Sequence, residues 1–115
     1  MMKAYLINPI DETIIEVDHD ASDYKNISRT IDAQYFTTVQ IDADGDTIYL
    51  DDEGLINGNH KYTFTLDKVF HQTYVGKGLV LGTNMNTGDA KDVDTSLETL
   101  KSRIEFNKLQ VYKRG

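Results

Sequence analysis

The chain contains no cysteine. That absence removes a disulfide framework, a thiolate zinc site, an iron–sulfur cluster and a cysteine nucleophile together, and it suits a reducing compartment. Long apolar runs are missing as well. Nothing approaches the roughly 20 apolar residues of a membrane span, and Met1–Ile7 is apolar for too short a stretch before Asn8-Pro9 to serve as a signal peptide. The expectation is a cytoplasmic protein with no membrane partner. Basic side chains are scarce: 12 Lys and Arg stand against 19 Asp and Glu, a net charge of −7. Such a balance repels nucleic-acid phosphates and anionic lipids, so no nucleic acid is expected as a partner. It admits a cationic protein partner, although solubility alone also accounts for it.

What is present describes one ordinary globular domain. The 115 residues are enough for a single core and too few for two, and 39% apolar with 27% charged residues is normal folded usage. No repeats, low-complexity tracts or linkers divide residues 1–115.

Period-two and period-3.6 patterns alternate along the chain. Lys3–Asn8 and Thr13–Val17 read as strands around a turn at Asn8-Pro9-Ile10-Asp11. Ser22 is placed to cap a helix whose Tyr24, Ile27, Ser28 and Ile31 share one face. Tyr35–Asp42 and Thr47–Asp51 then alternate on either side of Asp44-Gly45, which predicts a hairpin closed by a two-residue type I′ turn. That turn pairs Ile41 with Ile48 and Val39 with Leu50 on one face, leaving Gln40, Asp42, Thr47 and Tyr49 on the other. Further strands are expected at Tyr62–Leu66, at Val75–Thr83 around the apolar run Leu79-Val80-Leu81, and across Ile104–Tyr112, with turns at Asp51–Gly54 and Ile56–Asn59 and a flexible stretch at Asn84–Asp92. Thr95-Ser96-Leu97-Glu98 fits a capping box ahead of Leu97, Leu100 and Ile104. The sum is an α+β domain: a mainly antiparallel sheet of about 5–7 strands with helices near Ser22–Asp32 and Thr95–Arg103.

Three stretches in order carry a family likeness. They are Lys3-Ala4-Tyr5-Leu6-Ile7-Asn8-Pro9, Asp51-Asp52-Glu53-Gly54-Leu55-Ile56, and Gly76-Lys77-Gly78-Leu79-Val80-Leu81-Gly82. With a helix between the early strands and the hairpin, the chain resembles the small domain of unknown function 3846 family over roughly residues 2 to 106. Members of that family occur largely in bacteriophage genomes and phage-derived bacterial DNA. The resemblance implies a phage origin and a host-cytoplasm setting, and it supplies no catalytic or binding residues.

The chemistry-bearing residues are few. Asp42, Asp44, Asp46 and Glu53 fall at positions 1, 3, 5 and 12 of a calcium loop. Position 6 is Thr47 instead of glycine, and the flanks are strand-like, so an acidic hairpin tip is the better reading. Gly76-Lys77-Gly78 suggests phosphate binding, but the lysine sits between the glycines and leads into a strand, where glycines more often mark a bulge or a close backbone approach. His19, His60 and His71 share no ligand spacing, and Ser22, Ser28, Ser96 and Ser102 lack a nucleophile elbow. Neither a metal nor any other cofactor is indicated.

Two functional expectations follow. The preferred one is a non-enzymatic phage accessory protein whose acidic surface binds a host protein with basic groups; assembly with itself is also left open. Asp42, Asp44, Asp46, Asp51, Asp52 and Glu53 put six carboxylates within twelve residues, and Tyr49, among seven tyrosines, is the expected partner-facing aromatic. The rival is a small-ligand or nucleotide-sequestering protein with a site at Gly76, Lys77 and Gly78, drawing positive charge from Lys77, Lys91 and Arg103. An enzyme ranks third.

Overall fold

A computed structural model describes residues 1–53, 62–66 and 72–108. Among them the chain forms β1 (Met2–Asn8), β2 (Thr13–His19), α1 (Lys25–Thr30), β3 (Phe36–Gln40), β4 (Thr47–Asp51), β5 (Tyr62–Leu66), β6 (Gln72–Val75), β7 (Gly78–Thr83), β8 (Ala90–Lys91), α2 (Leu97–Arg103) and β9 (Ile104–Lys108). The fold is α+β, and every pairing among the described residues is antiparallel. Sheet A runs β2-β1-β7-β4-β3, with β8 paired to the end of β7; sheet B runs β6-β5-β9. Sheet A, with six strands, lies within the expected 5–7. Sheet B is separate because the stretch read as one strand, Val75–Thr83, divides between the two sheets, and the two-residue β8 is not predicted by the sequence pattern. Gly76, at φ +82°, makes the break and donates its amide to the Tyr62 carbonyl at 2.9 Å. A left-handed residue there suits glycine, which carries no Cβ to clash.

Sheet A is covered on both faces at its middle strand, which is why β7 lacks a polar side. Tyr5, Ile7, Ile48, Leu50 and Val80 meet Phe64 and Leu66 of sheet B and Leu100 of α2 in the larger core. Ala4, Leu79 and Leu81 turn the other way and pack with Ile27 and Ile31 at the α1 side. Thus Leu79-Val80-Leu81 is a continuous apolar run because β7 alternates between two cores. None of the three is exposed. At roughly 1.5–3 kcal/mol for each fully buried aliphatic side chain, this strand contributes heavily to stability.

The helices are shorter than the sequence pattern implies. Ser22 does not cap α1; its own amide donates to the Asp20 carboxylate, and Asp23 accepts from the Lys25 amide instead. Asp32, at φ +57°, ends that turn in the left-handed region, and the Ala33 amide returns to the Ser28 carbonyl at 2.8 Å. In α2 the cap is Ser96, one residue later than the capping-box reading, with its hydroxyl oxygen accepting from the Thr99 amide at 3.1 Å. Thr95 is engaged elsewhere: its carbonyl accepts from the Tyr5 hydroxyl at 2.8 Å, and its amide is held by Asp46. Asn84–Asp92 is ordered by a turn in which the Asn84 side chain accepts from the amides of Asn86 and Thr87, and it ends in β8. The expected turn at Ile56–Asn59 and the end of the last strand, Leu109–Tyr112, lie outside the described residues.

Candidate functional site

The hairpin of β3 and β4 carries the acidic residues singled out in the sequence, and its register differs from the type I′ expectation. Val39 pairs with Ile48, and Thr37 with Leu50. The pairing has moved by two residues, so Val39, Ile41, Ile48 and Leu50 keep their common face toward the larger core. The loop is correspondingly longer. It closes where the Ile41 amide meets the Asp46 carbonyl at 2.8 Å. A type I′ turn needs two residues at positive φ; only Gly45 is left-handed here, at +100°. Instead, Asp42 organises the loop by accepting from the amides of Asp44 and Asp46 at 3.0 and 3.1 Å, a local side-chain turn of the kind aspartate favours. Gly45 lies so close to strand β7 that a Cβ there would stand 2.7 Å from the Thr83 carbonyl oxygen.

Asp46 is the largest departure from the sequence reading. It is fully buried, not a surface carboxylate of an acidic tip. Its two oxygens accept from the amides of Asp94 and Thr95, each at 2.9 Å. Those amides lead into α2, so the side chain ties the hairpin tip to the helix start. Burial pushes its carboxyl above the ordinary value; the two amides oppose this, and the neighbouring Asp42 adds to it. Nearby, Arg103 donates to the Ile41 carbonyl at 2.9 Å, and Lys91 pairs with Asp94 at 3.1 Å.

Tyr49 is likewise misplaced by the sequence reading. It does sit on the face away from the larger core, but that face is covered on the α1 side, and Tyr49 is half-buried against Phe36 with ring centroids 5.5 Å apart. Burial raises its phenol pKa. The exposed aromatic of the hairpin is Tyr35, at 58%, one residue before β3. No periodicity marks it, because its exposure follows from the strand starting after it.

The six carboxylates do not make one patch. Asp42, Asp44 and Asp46 stand at the tip, whereas Asp51, Asp52 and Glu53 stand at the other end of β4, about 13 Å away at strand rise. Of these, Asp44 and Asp52 are exposed, and Asp42, Asp51 and Glu53 are half-buried. Asp51 accepts from the Glu53 amide at 2.9 Å. Asp42, Asp44, Asp46 and Glu53 therefore do not converge as a calcium loop requires.

The second set of sequence candidates is engaged by the fold. Lys77 pairs with Asp32 at 2.5 Å beside a cavity of about 30 Å³ lined by Ile10, Ile31, Asp51, Tyr62 and Val75. Gly78 packs under Ile48 and Phe64. Lys91 and Arg103 lie at the opposite end of β7 from Lys77, so the three do not join in one cationic site. His19 is buried at 4% exposure, which lowers its pKa, with Asp20 acting in the opposite sense. His60 and His71 fall outside the described residues. No helix among the described residues is long and apolar enough to cross a membrane.

A family model described as Domain of unknown function (DUF3846) matches residues 2–105. No curated protein and no solved structure matches the chain.

Proposed function

The chain belongs to the DUF3846 family, and from that premise we propose a non-enzymatic phage accessory protein that binds a basic host protein in the host cytoplasm. The binding surface is the outer side of the β3–β4 hairpin. One observation carries the reading: carboxylates that the fold leaves exposed, Asp44 and Asp52, sit at opposite ends of this hairpin, with the exposed Tyr35 between β3 and the α1 turn. Tyr35 stands beside Asp52, its carbonyl accepting from the Asp52 amide at 3.1 Å. Like charges at the two ends of the hairpin steer a cationic surface into place and accelerate association more than they tighten it. Support also comes from the groups best suited to catalysis. Lys77 is paired with Asp32 and His19 is buried, so both serve the fold. The ligand-site alternative at Gly76, Lys77 and Gly78 is weaker, since about 30 Å³ of cavity there holds a water or two.

The test uses the Asp44→Asn/Asp52→Asn double variant, leaving Asp46 intact because it is structural. A partner captured from host lysate is identified, purified and titrated against both proteins at several salt concentrations. The expected loss is about 2- to 10-fold in affinity, as two partly exposed ion pairs allow, with a steep salt dependence. A partner that binds both proteins equally, or independently of salt, refutes the acidic surface; abolition by Lys77→Ala alone would favour the ligand site.

A further inference from the structure

β3 is the last strand of sheet A, and among the described residues it pairs with β4 alone. A strand with one neighbour turns alternate amides and carbonyls outward with no partner but water. Edge strands usually carry a guard against pairing: a charge within the strand, a proline, a bulge or a covering element. Phe36-Thr37-Thr38-Val39-Gln40 has no charge, no proline and no glycine, and Thr37, Thr38 and Gln40 are exposed. Its composition is that of a strand suited to pairing, with β-branched and aromatic residues dominant. The charges stand beyond its ends instead. Asp42 and Asp44 follow it at the tip, and Asp52, whose amide donates to the Tyr35 carbonyl at 3.1 Å, stands at its start.

This arrangement selects the occupant. A second copy pairing antiparallel about Thr38 would bring the Asp42–Asp44 loop of each copy toward Tyr35 and Asp52 of the other, setting like charges together. A segment with an uncharged middle and basic ends has its charges opposite these carboxylates. We infer that the β3 edge is a strand-addition site for an extended segment of a partner protein, about five uncharged β-forming residues between Lys or Arg residues. The spacing follows from five residues at about 3.4 Å each, roughly 17 Å. Main-chain hydrogen bonds supply the pairing, and the terminal carboxylates orient it. The inference rests on the acidic-surface reading above and specifies its binding mode.

Two labelled peptides test it, each with a Val/Thr core of five residues between lysine pairs, one of them with prolines inside the core. Fluorescence anisotropy against the full chain should show the intact peptide binding about tenfold or more tighter, since prolines remove several main-chain hydrogen bonds. Hydrogen exchange should show added protection at amides of Phe36–Gln40 only with the intact peptide. Equal binding of both peptides, no binding of the intact one, or protection elsewhere than β3 overturns the strand site. Protection of β3 that rises with protein concentration in the absence of peptide overturns it in favour of a second copy. Protection at β3 with an affinity indifferent to salt and to Asp44→Asn/Asp52→Asn keeps the strand site and refutes the acidic reading.

Discussion

The two edges of sheet A are strands of opposite character. At one edge β2 carries Glu16 and Asp18, both exposed, and α2 packs nearby. At the other, β3 has no charged residue and pairs, among the described residues, with β4 alone. Carboxylates within an edge strand repel an incoming copy along the whole pairing line. Carboxylates beyond its ends leave the amides open and bias what approaches them. A chain with a net charge of −7 has acid to spare for both edges, and within the strand itself it guards only one. A carboxylate's position relative to free backbone groups, more than the number of carboxylates, separates a guard from a guide.

The open β3 edge requires the β3–β4 hairpin to be held firmly, and Asp46 is the side chain that ties its tip to the start of α2. Asp46→Ala removes the acceptor of two amides, Asp94 and Thr95, inside a site with no exposure. The expected loss is about 2–3 kcal/mol in chemical denaturation, the range for stranding buried donors. Asp46→Asn keeps one acceptor and should lose less. Asp44→Asn, two residues away and exposed, should stay within about 0.5 kcal/mol. Similar values for Asp44 and Asp46 would erase the distinction between an anchoring carboxylate and a free one. The raised pKa of Asp46 adds a sign. Its protonated form is favoured in the fold, so this group's titration contributes stability that is full below the ordinary value of 3.8 and is lost as pH rises through the raised one. Removal of the side chain is still costly at neutral pH, because either protonation state keeps acceptors on those amides.

The fold was legible wherever periodicity speaks, and the sites were less so. Alternation gave the shared face of Val39, Ile41, Ile48 and Leu50, which survives because the register moved by an even number of residues. The turn type was not legible. Asp44-Gly45 signals a tight turn only if no longer-range interaction competes, and the link from Asp46 to Asp94 and Thr95 spans 48 and 49 residues. The same limit misplaced Tyr49, since the pattern assigned it to the second face without showing that this face is buried on the α1 side. Leu79-Val80-Leu81 was legible as a strand buried on both faces, yet the break at Gly76 was hidden by a glycine spacing that also fits a bulge. The openness of the β3 edge is a property of strand order in the sheet, which no local pattern encodes.

The guard on β2 can be removed without touching the core. Glu16→Thr/Asp18→Thr gives β2 the uncharged character of β3. Exposed substitutions of this kind should change stability by no more than about 0.5 kcal/mol. Self-association should nevertheless rise, read as a concentration-dependent increase in sedimentation coefficient. Asp89→Asn/Glu98→Gln, which removes the same amount of charge from exposed positions outside both edges, is the control. Equal behaviour of the two double variants would assign the protection of β2 to net charge and not to where the charge stands.

The smallest expected effect separates the edges by pH. β2 ends in His19, which is buried, while β3 holds no titratable side chain. Burial lowers the histidine's pKa below 6.5, and the attraction of Asp20 offsets only part of that. A lowered folded value means that the unfolded chain binds the proton more readily. The stability contributed by neutral His19 is therefore fully present above 6.5 and is lost as pH falls through the folded value. Asp46 contributes in the opposite sense over a window that opens upward from 3.8, so the histidine needs its own variant. Between about pH 7 and pH 5, β2 amides should lose exchange protection relative to β3 amides once intrinsic rates are corrected. His19→Gln should flatten that relative loss while leaving the β3 amides as they were. An undiminished slope in the variant would show that the β2 edge loosens in acid for a reason other than charging of this buried imidazole.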